Sequence, residues 1–298
     1  MHANNASRFS IELLRRDNKD INLFAEYSQR YVEEVDKKPI DDEIKKIKSR
    51  SHIDHCWILK DDEKLGIVKI IRGNFYNLGV PSYLDNAQLN EILSIIEKDI
   101  LSFHNFRIEG TLHNKYLLVA LDRGYNIEFS RNKMELDLSN VDNCVSYTTL
   151  DIQTYKNHYF RELTDTYIDA YRGSIDERVG MFDQSIAHSA IKSILNNDFG
   201  KFRPDLSGLV FDKKELIGGI LITILEDCPF VVIIGLKRKN QLKQVGRKLM
   251  SWAIENSQKQ GYNKMRLWVT TENKIALKLY ESLGFKEILI INSVYKNF

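Results

Sequence analysis

Asn273-Lys-Ile-Ala-Leu-Lys-Leu-Tyr-Glu-Ser-Leu-Gly-Phe285 is the stretch that decides the fold. It follows the apolar run Met265-Arg-Leu-Trp-Val-Thr270 and precedes Lys286-Glu-Ile-Leu-Ile290. Ile275, Ala276, Leu279 and Leu283 recur at helical spacing, which predicts a short helix with one apolar face. Asn273 suits the N-cap, because its side-chain oxygen can accept from an otherwise unpaired backbone N–H. Gly284 suits the left-handed stop at the other end. The result is a strand–helix–strand unit carrying one tyrosine, Tyr280.

The pattern occurs earlier in the chain as well. Phe106-Arg-Ile-Glu-Gly-Thr111 leads into a Leu-rich helix ending at Arg123-Gly-Tyr125, and the strand Met134-Glu-Leu-Asp-Leu138 follows. Trp57-Ile-Leu-Lys-Asp-Asp-Glu-Lys-Leu-Gly-Ile-Val-Lys-Ile70 reads as strand, charged turn, strand, and so does Leu209-Val-Phe-Asp-Lys-Lys-Glu-Leu-Ile-Gly-Gly-Ile-Leu-Ile222. Two copies of one fold, offset by about half the chain, account for these pairs. The boundary is expected in the polar stretch Ser139-Asn-Val-Asp-Asn143. The first copy is expected to hold helices at 18–35, 41–48 and 86–103 and strands at 57–60 and 66–72. In the second, a strand at 145–149 and helices at 152–171 and 184–195 precede strands at 207–212, 216–225 and 229–236. A helix at 244–260, a strand at 264–270, the helix at 274–283 and a final strand pair complete it. This order describes an α+β arrangement around a mostly antiparallel sheet.

Between the buried strand Phe230-Val-Val-Ile-Ile-Gly-Leu236 and the helix opening at Val245 lies Lys237-Arg-Lys-Asn-Gln-Leu-Lys-Gln244. A strand feeding a helix N-terminus offers unpaired N–H groups and a positive dipole end, a site suited to a pyrophosphate and a further phosphate. Lys237, Arg238, Lys239, Lys243, Arg247 and Lys248 crowd the turn. Taken alone, such a charge run also fits a solvated surface loop.

The 273–285 block resembles the last conserved block of the GNAT superfamily of acyl-CoA-dependent N-acyltransferases, where the Asn, the Ala, the Leu-Tyr pair and the Gly-Phe pair recur at this spacing. The turn is similar too. The family carries Gln or Arg, two variable residues, Gly, one variable residue, then Gly or Ala, and this chain reads Gln241-Leu-Lys-Gln-Val-Gly246, with Gln244 where Gly is usual. A Gln there still offers its backbone N–H and is acceptable if its φ is already helical. The resemblance covers nearly all of 146–298 and, more faintly, 8–138. It implies two tandem GNAT-like domains, each a mixed, mostly antiparallel sheet flanked by helices. Residues 1–138 would be a degenerate copy, 139–145 a linker and 146–298 the catalytic N-acetyltransferase domain.

What the resemblance implies chemically is an enzyme that moves an acetyl group from the acetyl-CoA cosubstrate to a primary amine by direct attack. It implies Leu236, Lys237, Gln241, Leu242, Lys243, Gln244, Val245, Gly246, Arg247, Asn273 and Tyr280 as cofactor-binding residues. Tyr280 would serve the departing thiolate, and a backbone N–H near Leu236 would serve the oxyanion. Packing of the Tyr280 ring on the sheet is the competing assignment, and Asn273 is either a pantetheine contact or a plain cap. The base is left open among Asp176, Glu226, Asp227 and Glu272. His158 and His188 fall in helical segments and are read as ordinary polar positions. The alternative function is a non-catalytic tandem GNAT protein that senses acyl-CoA or binds a partner; Gln244 favours it and Tyr280 opposes it. The acceptor is an amine-bearing small molecule or a peptide or protein.

In the first copy, Ala120 stands where Tyr280 would be and His113 where Asn273 would be. The turn Gly79-Val-Pro-Ser-Tyr-Leu-Asp-Asn86 has neither the glycine pattern nor a basic cluster. This copy is expected to bind no coenzyme A and to shape the acceptor pocket instead.

Composition removes several other classes. A chain of 298 residues favours two domains, and 43% hydrophobic with 28% charged residues is ordinary for a globular protein. A net charge of +2 and no aromatics among the turn's charges argue against a nucleic-acid binder. Cys56, Cys144 and Cys228 are scattered and odd in number, which fits a reducing cytoplasm and no disulfide framework. No apolar run approaches membrane-spanning length, and the N-terminus has no signal-peptide core, so a soluble cytoplasmic protein is expected. His52, His55 and Cys56 have metal-ligand chemistry but no second cluster to complete a site, so no metal is expected. The oligomeric state stays open.

Overall fold

Three of the tight hairpins turn without glycine. Asp61 and Asp62, Lys213 and Lys214, and Glu226 and Asp227 all take positive φ, from 48° to 73°. Two consecutive left-handed residues match the right-handed twist of the flanking strands. The computed structural model describes residues 11–16, 18–32, 39–50, 52–71, 73–102, 107–140, 150–177, 183–241 and 244–298. The expected strand at 145–149, most of the 139–145 linker, Cys144, the end of the first helix, Leu242 and Lys243 lie outside the described residues.

In chain order the first half contains β1 (Ile11–Arg15), α1 (Ile21–Tyr31), α2 (Ile40–Ser49), β2 (Asp54–Lys60), β3 (Glu63–Ile71) and β4 (Asn74–Gly79). It continues with α3 (Asn86–Leu101), β5 (Arg107–His113), α4 (Leu117–Asp122) and β6 (Asn126–Asp137). The second half contains β7 (Asp151–Thr154), α5 (Phe160–Tyr171), α6 (Gln184–Leu195), β8 (Lys201–Phe202), β9 (Gly208–Asp212) and β10 (Glu215–Leu225). Then come β11 (Cys228–Leu236), α7 (Val245–Lys259), β12 (Lys264–Thr270), α8 (Lys274–Ser282) and β13 (Lys286–Asn297).

These elements form two compact units, 1–130 with 289–298, and 131–288. In the first, the strand order is β1-β2-β3-β4-β5-β13, and β4 runs parallel to β5 while the other pairs described there are antiparallel. A capping box between Asp85 and Gln88 starts α3, which buries Leu89, Ile92, Leu93, Ile96 and Ile100 against Ile108 and Val294. In the second unit the order is β6-β12-β11-β10-β9-β7, with β8 against β10. Along β10, Ile220 and Ile222 join the core under α7 and α8, and Leu221 joins the core under α5 and α6. Helices therefore cover both faces, and each unit is the mixed, mostly antiparallel α+β sheet that the element order implies. Among the described residues, no helix is long and apolar enough to cross a membrane, and no group of three or more His, Cys, Asp or Glu is placed to hold a metal.

Each unit takes its last strand from the other half of the sequence. Residues 131–137 of β6 pair antiparallel with β12, from Thr270↔Arg131 to Lys264↔Asp137. Residues 291–297 of β13 pair with β5, from Ile291↔His113 to Asn297↔Arg107.

Several local expectations change. Residues 152–159 are not α-helical: they hold the end of β7 and a short 3-10 turn before α5 begins at Phe160. One continuous strand, β13, replaces the final strand pair, and β6 starts at Asn126 rather than Met134. β4 was not anticipated. In α8 the buried positions are Leu277 and Tyr280, whereas Ile275 is 68% exposed.

His55 supplies a stability prediction. It is buried on β2, and burial, followed by the charges of Lys69 and Arg16, pushes its imidazole down to about 4. The unfolded chain titrates near ~6.5, so between these values it binds the proton that the folded chain refuses. Stability is therefore expected to fall by about 3 kcal/mol as pH drops from ~6.5 to ~4. Urea titrations across that window should show a decline that His55→Gln flattens.

Candidate active site

β11 is paired with β10 over most of its length, but it meets the parallel strand β12 only at Phe230↔Arg266 and Val231↔Leu267. Beyond Val231 the two strands part. The Lys237 N–H donates to the Ile217 carbonyl on the β10 side at 2.8 Å, so alternation turns the Leu236 N–H toward the opening. The β11–β12 pairing, described at Phe230 and Val231 only, does not extend to it. The Tyr171 hydroxyl donates to the Ile234 carbonyl at 3.2 Å. Gly235 lets α5 approach: a Cβ there would stand 2.7 Å from the Tyr167 ring. Gly218, across β10, would put one 2.2 Å from Leu236 Cδ2.

The chain leaves the opening through Lys237 and a 3-10 turn and enters α7, whose first intrahelical bond beyond the cap runs from the Lys248 N–H to the Gln244 carbonyl at 3.0 Å. The N–H groups of Val245, Gly246 and Arg247 head the helix ahead of it. A Cβ on Gly246 would make only ordinary contacts, 3.6 Å to Leu236 Cδ1 and 3.7 Å to Leu279 Cδ2. Packing alone does not demand glycine there, whereas an anion approaching the backbone would use that space. Gln241 folds back to donate to the Leu236 carbonyl at 3.0 Å.

Two features of the turn differ from expectation. Gln244 sits at φ 60° and ψ 5°, left-handed rather than helical. The condition under which a Gln replaces the usual Gly without strain is therefore not met. A left-handed residue followed by right-handed ones does make successive N–H groups converge, as in anion-binding nests. Gln244→Gly is expected to relieve about 0.5–1 kcal/mol, after allowing for the looser unfolded chain, and to raise the melting temperature by ~2 °C. Calorimetry of the two proteins checks this. The basic cluster is also dispersed. Lys239 and Lys237 reach Glu215 at 2.8 and 2.9 Å and, Lys239 foremost, hold its carboxyl down to about 2. Arg238 turns to Asp169, and Arg247 donates to the Ser282 hydroxyl.

At the end of β12, Asn273 caps α8: its oxygen accepts from the Ala276 N–H at 3.0 Å, and its amide donates to Asp176 at 2.6 Å. The cap role is thus seen directly. Tyr280 lies one helical face further on, 6% exposed, with its ring 5.8 Å from that of Phe285. Burial, then the charge of Asp176, raises its phenol well above the ordinary range, against the opposing pull of Arg131. The same neighbours act on Tyr171, raised first by burial, then by Tyr280 and Asp176. Asp176 is therefore the acid that the fold brings to Tyr280. Glu226 pairs with Arg266 at 2.7 Å, and Glu272 bonds its neighbour Thr271 at 3.0 Å.

Arg131, Tyr171 and Trp268 belong to this site and were not among the expected residues. The Arg131 guanidinium stands 5.9 Å from the centre of the Trp268 ring. The alternation Arg131, Lys133, Glu135 against Asn132, Met134, Leu136 marked a two-faced strand, but nothing local assigned it to the second unit.

The corresponding corner of the first unit has the same backbone and different side chains. Gly124 and Gly284 take φ of 83° and 93°. The Tyr125 N–H donates to Ala120 and the Phe285 N–H to Tyr280, both at 3.0 Å, so the two helix stops match. His113 caps through its ring nitrogen, which accepts from the Lys115 N–H at 3.0 Å. Ala120 is fully buried and carries no hydroxyl. A cavity of about 130 Å³ in this unit is lined by Ile47, Arg50, Ile53, His55, Lys69, Tyr76 and Asn77, none of them from α4 or the 79–86 turn.

The sequence model of the acetyltransferase (GNAT) family matches residues 161–285, the span from α5 to the end of α8. No curated protein sequence matches the chain. Among solved structures, a GCN5-related N-acetyltransferase from Sphaerobacter thermophilus superposes with a TM-score of 0.70 at 13% identity, covering 98% of this chain and 96% of that one. A tandem GNAT protein from the clavulanic acid biosynthesis pathway gives 0.68 at 9% identity, covering 97% and 98%. An acetyltransferase from the GNAT family of Colwellia psychrerythraea gives 0.64 at 10%, covering 97% and 100%. At these identities the likeness is one of fold, and it extends over nearly the whole chain. Residues 161–285 thus match the acetyltransferase (GNAT) family, and nearly the whole chain has the fold of tandem GNAT proteins.

Proposed function

We propose that this protein is an acetyl-CoA-dependent N-acetyltransferase whose acting site lies in 146–298, completed by residues 131–137 of β6. The observation that carries this reading is the parting of β11 from β12 ahead of α7, with Tyr280 acting on Tyr171, whose hydroxyl bonds the Ile234 carbonyl of β11. The N–H groups of Val245, Gly246 and Arg247 fit the pyrophosphate, and the free edge of β11 fits the amide-bearing pantetheine arm. The Leu236 N–H is the donor for the thioester oxygen as negative charge develops on it. The amine nitrogen bonds to the acetyl carbon, the C–S bond breaks, and the amine's proton passes to Asp176, directly or through water. Tyr280 donates to the departing sulfur. The first copy, 1–138, with Ala120 and His113 at the matching positions, binds no acetyl-CoA in this reading, and 139–145 acts as the linker. The acceptor is an amine-bearing small molecule or peptide, and the setting is the cytoplasm.

Release of free thiol from acetyl-CoA, assayed across a panel of amines, tests the reaction. Tight acetyl-CoA binding without thiol release from any amine would instead support a non-catalytic acyl-CoA sensor, the reading that strained Gln244 favours. Calorimetric titration is expected to give one acetyl-CoA site per chain; two would overturn the assignment of the first copy.

A further inference from the structure

A guanidinium inside a reaction site, with nothing bonded to it, calls for a ligand. Arg131 lies on β6, whose residues Met134 and Leu136 face the core under α7. Arg131, Lys133 and Glu135 alternate onto the opposite face. On that face Glu135 is satisfied by Lys264 and Arg266, both at 2.7 Å, and Arg266 also reaches Glu226. Arg131 differs. Among the described residues its side chain makes no hydrogen bond and no ion pair, its Nε is sealed from solvent, and the guanidinium lies 5.9 Å from the centre of the Trp268 ring. The sealed Nε has lost its water without gaining a partner, which is costly, and the two Nη groups are not sealed in the same way and can receive a ligand.

Its surroundings say what is missing. Arg131 pairs with Thr270 at the end of β12, three residues before Asn273, whose amide bonds Asp176; Asp176, Tyr171 and Tyr280 all act on it electrostatically, so it stands on the Tyr280 side of the opening. Asp176 and Arg131 attract each other without forming an ion pair, so one site presents a separate anion and cation. A molecule carrying both an ammonium and a carboxylate matches that pair. The planar fork of an arginine matches a carboxylate in particular, through two parallel N–H donors.

We propose that Arg131 anchors a carboxylate of the acceptor, so that the preferred substrates are α-amino acids or closely similar amines bearing a carboxylate. This rests on the acetyl-transfer reading of the same site. It makes Arg131 a specificity-determining residue that belongs to the first half of the sequence and serves the second.

The experiment pairs each common L-α-amino acid with its α-carboxamide, which keeps the amine and removes the negative charge. The wild type is expected to prefer at least one acid over its amide by about 100-fold in kcat/KM, the scale of a lost charge-assisted bidentate pair. Arg131→Gln should remove most of that preference, chiefly as a rise in KM for the acid, with the amide changed less than about threefold. Arg131→Lys should restore part of it, and unchanged acetyl-CoA binding shows that both variants are folded. Equal use of acids and amides by the wild type would overturn the proposal. So would an equal fall in kcat for both in Arg131→Gln, which would place Arg131 on the thioester instead. If no amine releases thiol, acetyl transfer itself has failed, and the anchor is then read by titrating the same amino acids into protein loaded with coenzyme A. Binding that Arg131→Gln abolishes supports the anchor; no binding, or equal binding, sinks it.

Discussion

Tyr280→Phe is expected to lower kcat by about 100-fold while the acetyl-CoA Kd stays within about twofold. The hydroxyl is the only atom removed. The ring keeps its contact with Phe285 and its place in the core with Leu277, so the fold has little reason to respond. The chemistry does. The departing group is a thiolate whose acid resembles an ordinary thiol near ~8.5, whereas a phenol sits near ~10 before any perturbation. Burial and Asp176 raise the Tyr280 phenol further, which makes full proton transfer to sulfur increasingly uphill. The same shift keeps the phenol protonated throughout the physiological range, so it is always present as a hydrogen-bond donor. In the proposed mechanism its contribution is donation to the developing charge, where one preorganised donor has large leverage. Because the phenol does not ionise in that range, Tyr280 should add no fall in rate on the alkaline side below pH ~10. Steady-state turnover with wild type and variant settles the matter: equal rates would remove Tyr280 from the mechanism and return it to packing.

What could be read from the sequence was local. The α8 stretch announces itself because its cap, its turn and its stop all lie within a few residues of one another, and Asn273, Gly284 and Phe285 make the bonds that their types suggest. The duplication was legible for the same reason, since hairpins and helix stops repeat as short patterns. Contacts between distant segments were not. Arg131 reaches its site only because β6 pairs with β12, and no periodicity within 126–137 states which strand it will join. Lys237 and Lys239 looked like phosphate ligands, but Glu215, from the start of β10, claims both. The apolar face of α8 was misjudged by a third of a turn: Ile275 matched helical spacing as well as Leu277 did, and only the tertiary packing separates them. At Gln244 the residue type suggested a helical start, whereas the path from β11 into α7 imposes a left-handed one.

That same distinction between local pattern and assembled site picks out one acid for the base of the proposed mechanism. Four acids were candidates by sequence, and only Asp176 is bonded to Asn273 and lies within electrostatic reach of Tyr280 and Arg131. Asp176→Asn is expected to lower kcat/KM by about 100-fold at neutral pH. The substitution is chosen to preserve geometry, since the Asn oxygen can still accept from the Asn273 amide. What it loses is the ability to take a proton. An ordinary primary amine near ~10.4 is about 0.1% uncharged at pH 7.4. In the wild type the ammonium form can bind and be deprotonated in place. In the variant only the free amine in solution can react, so kcat/KM should climb roughly tenfold per pH unit up to the pKa of the amine. The wild type should show a shallower rise, and the two profiles should converge at high pH. A uniform loss at every pH would mean that Asp176 only positions the 171–177 loop and α8. An unchanged rate would return the base to the remaining acids, Glu226, Asp227 and Glu272.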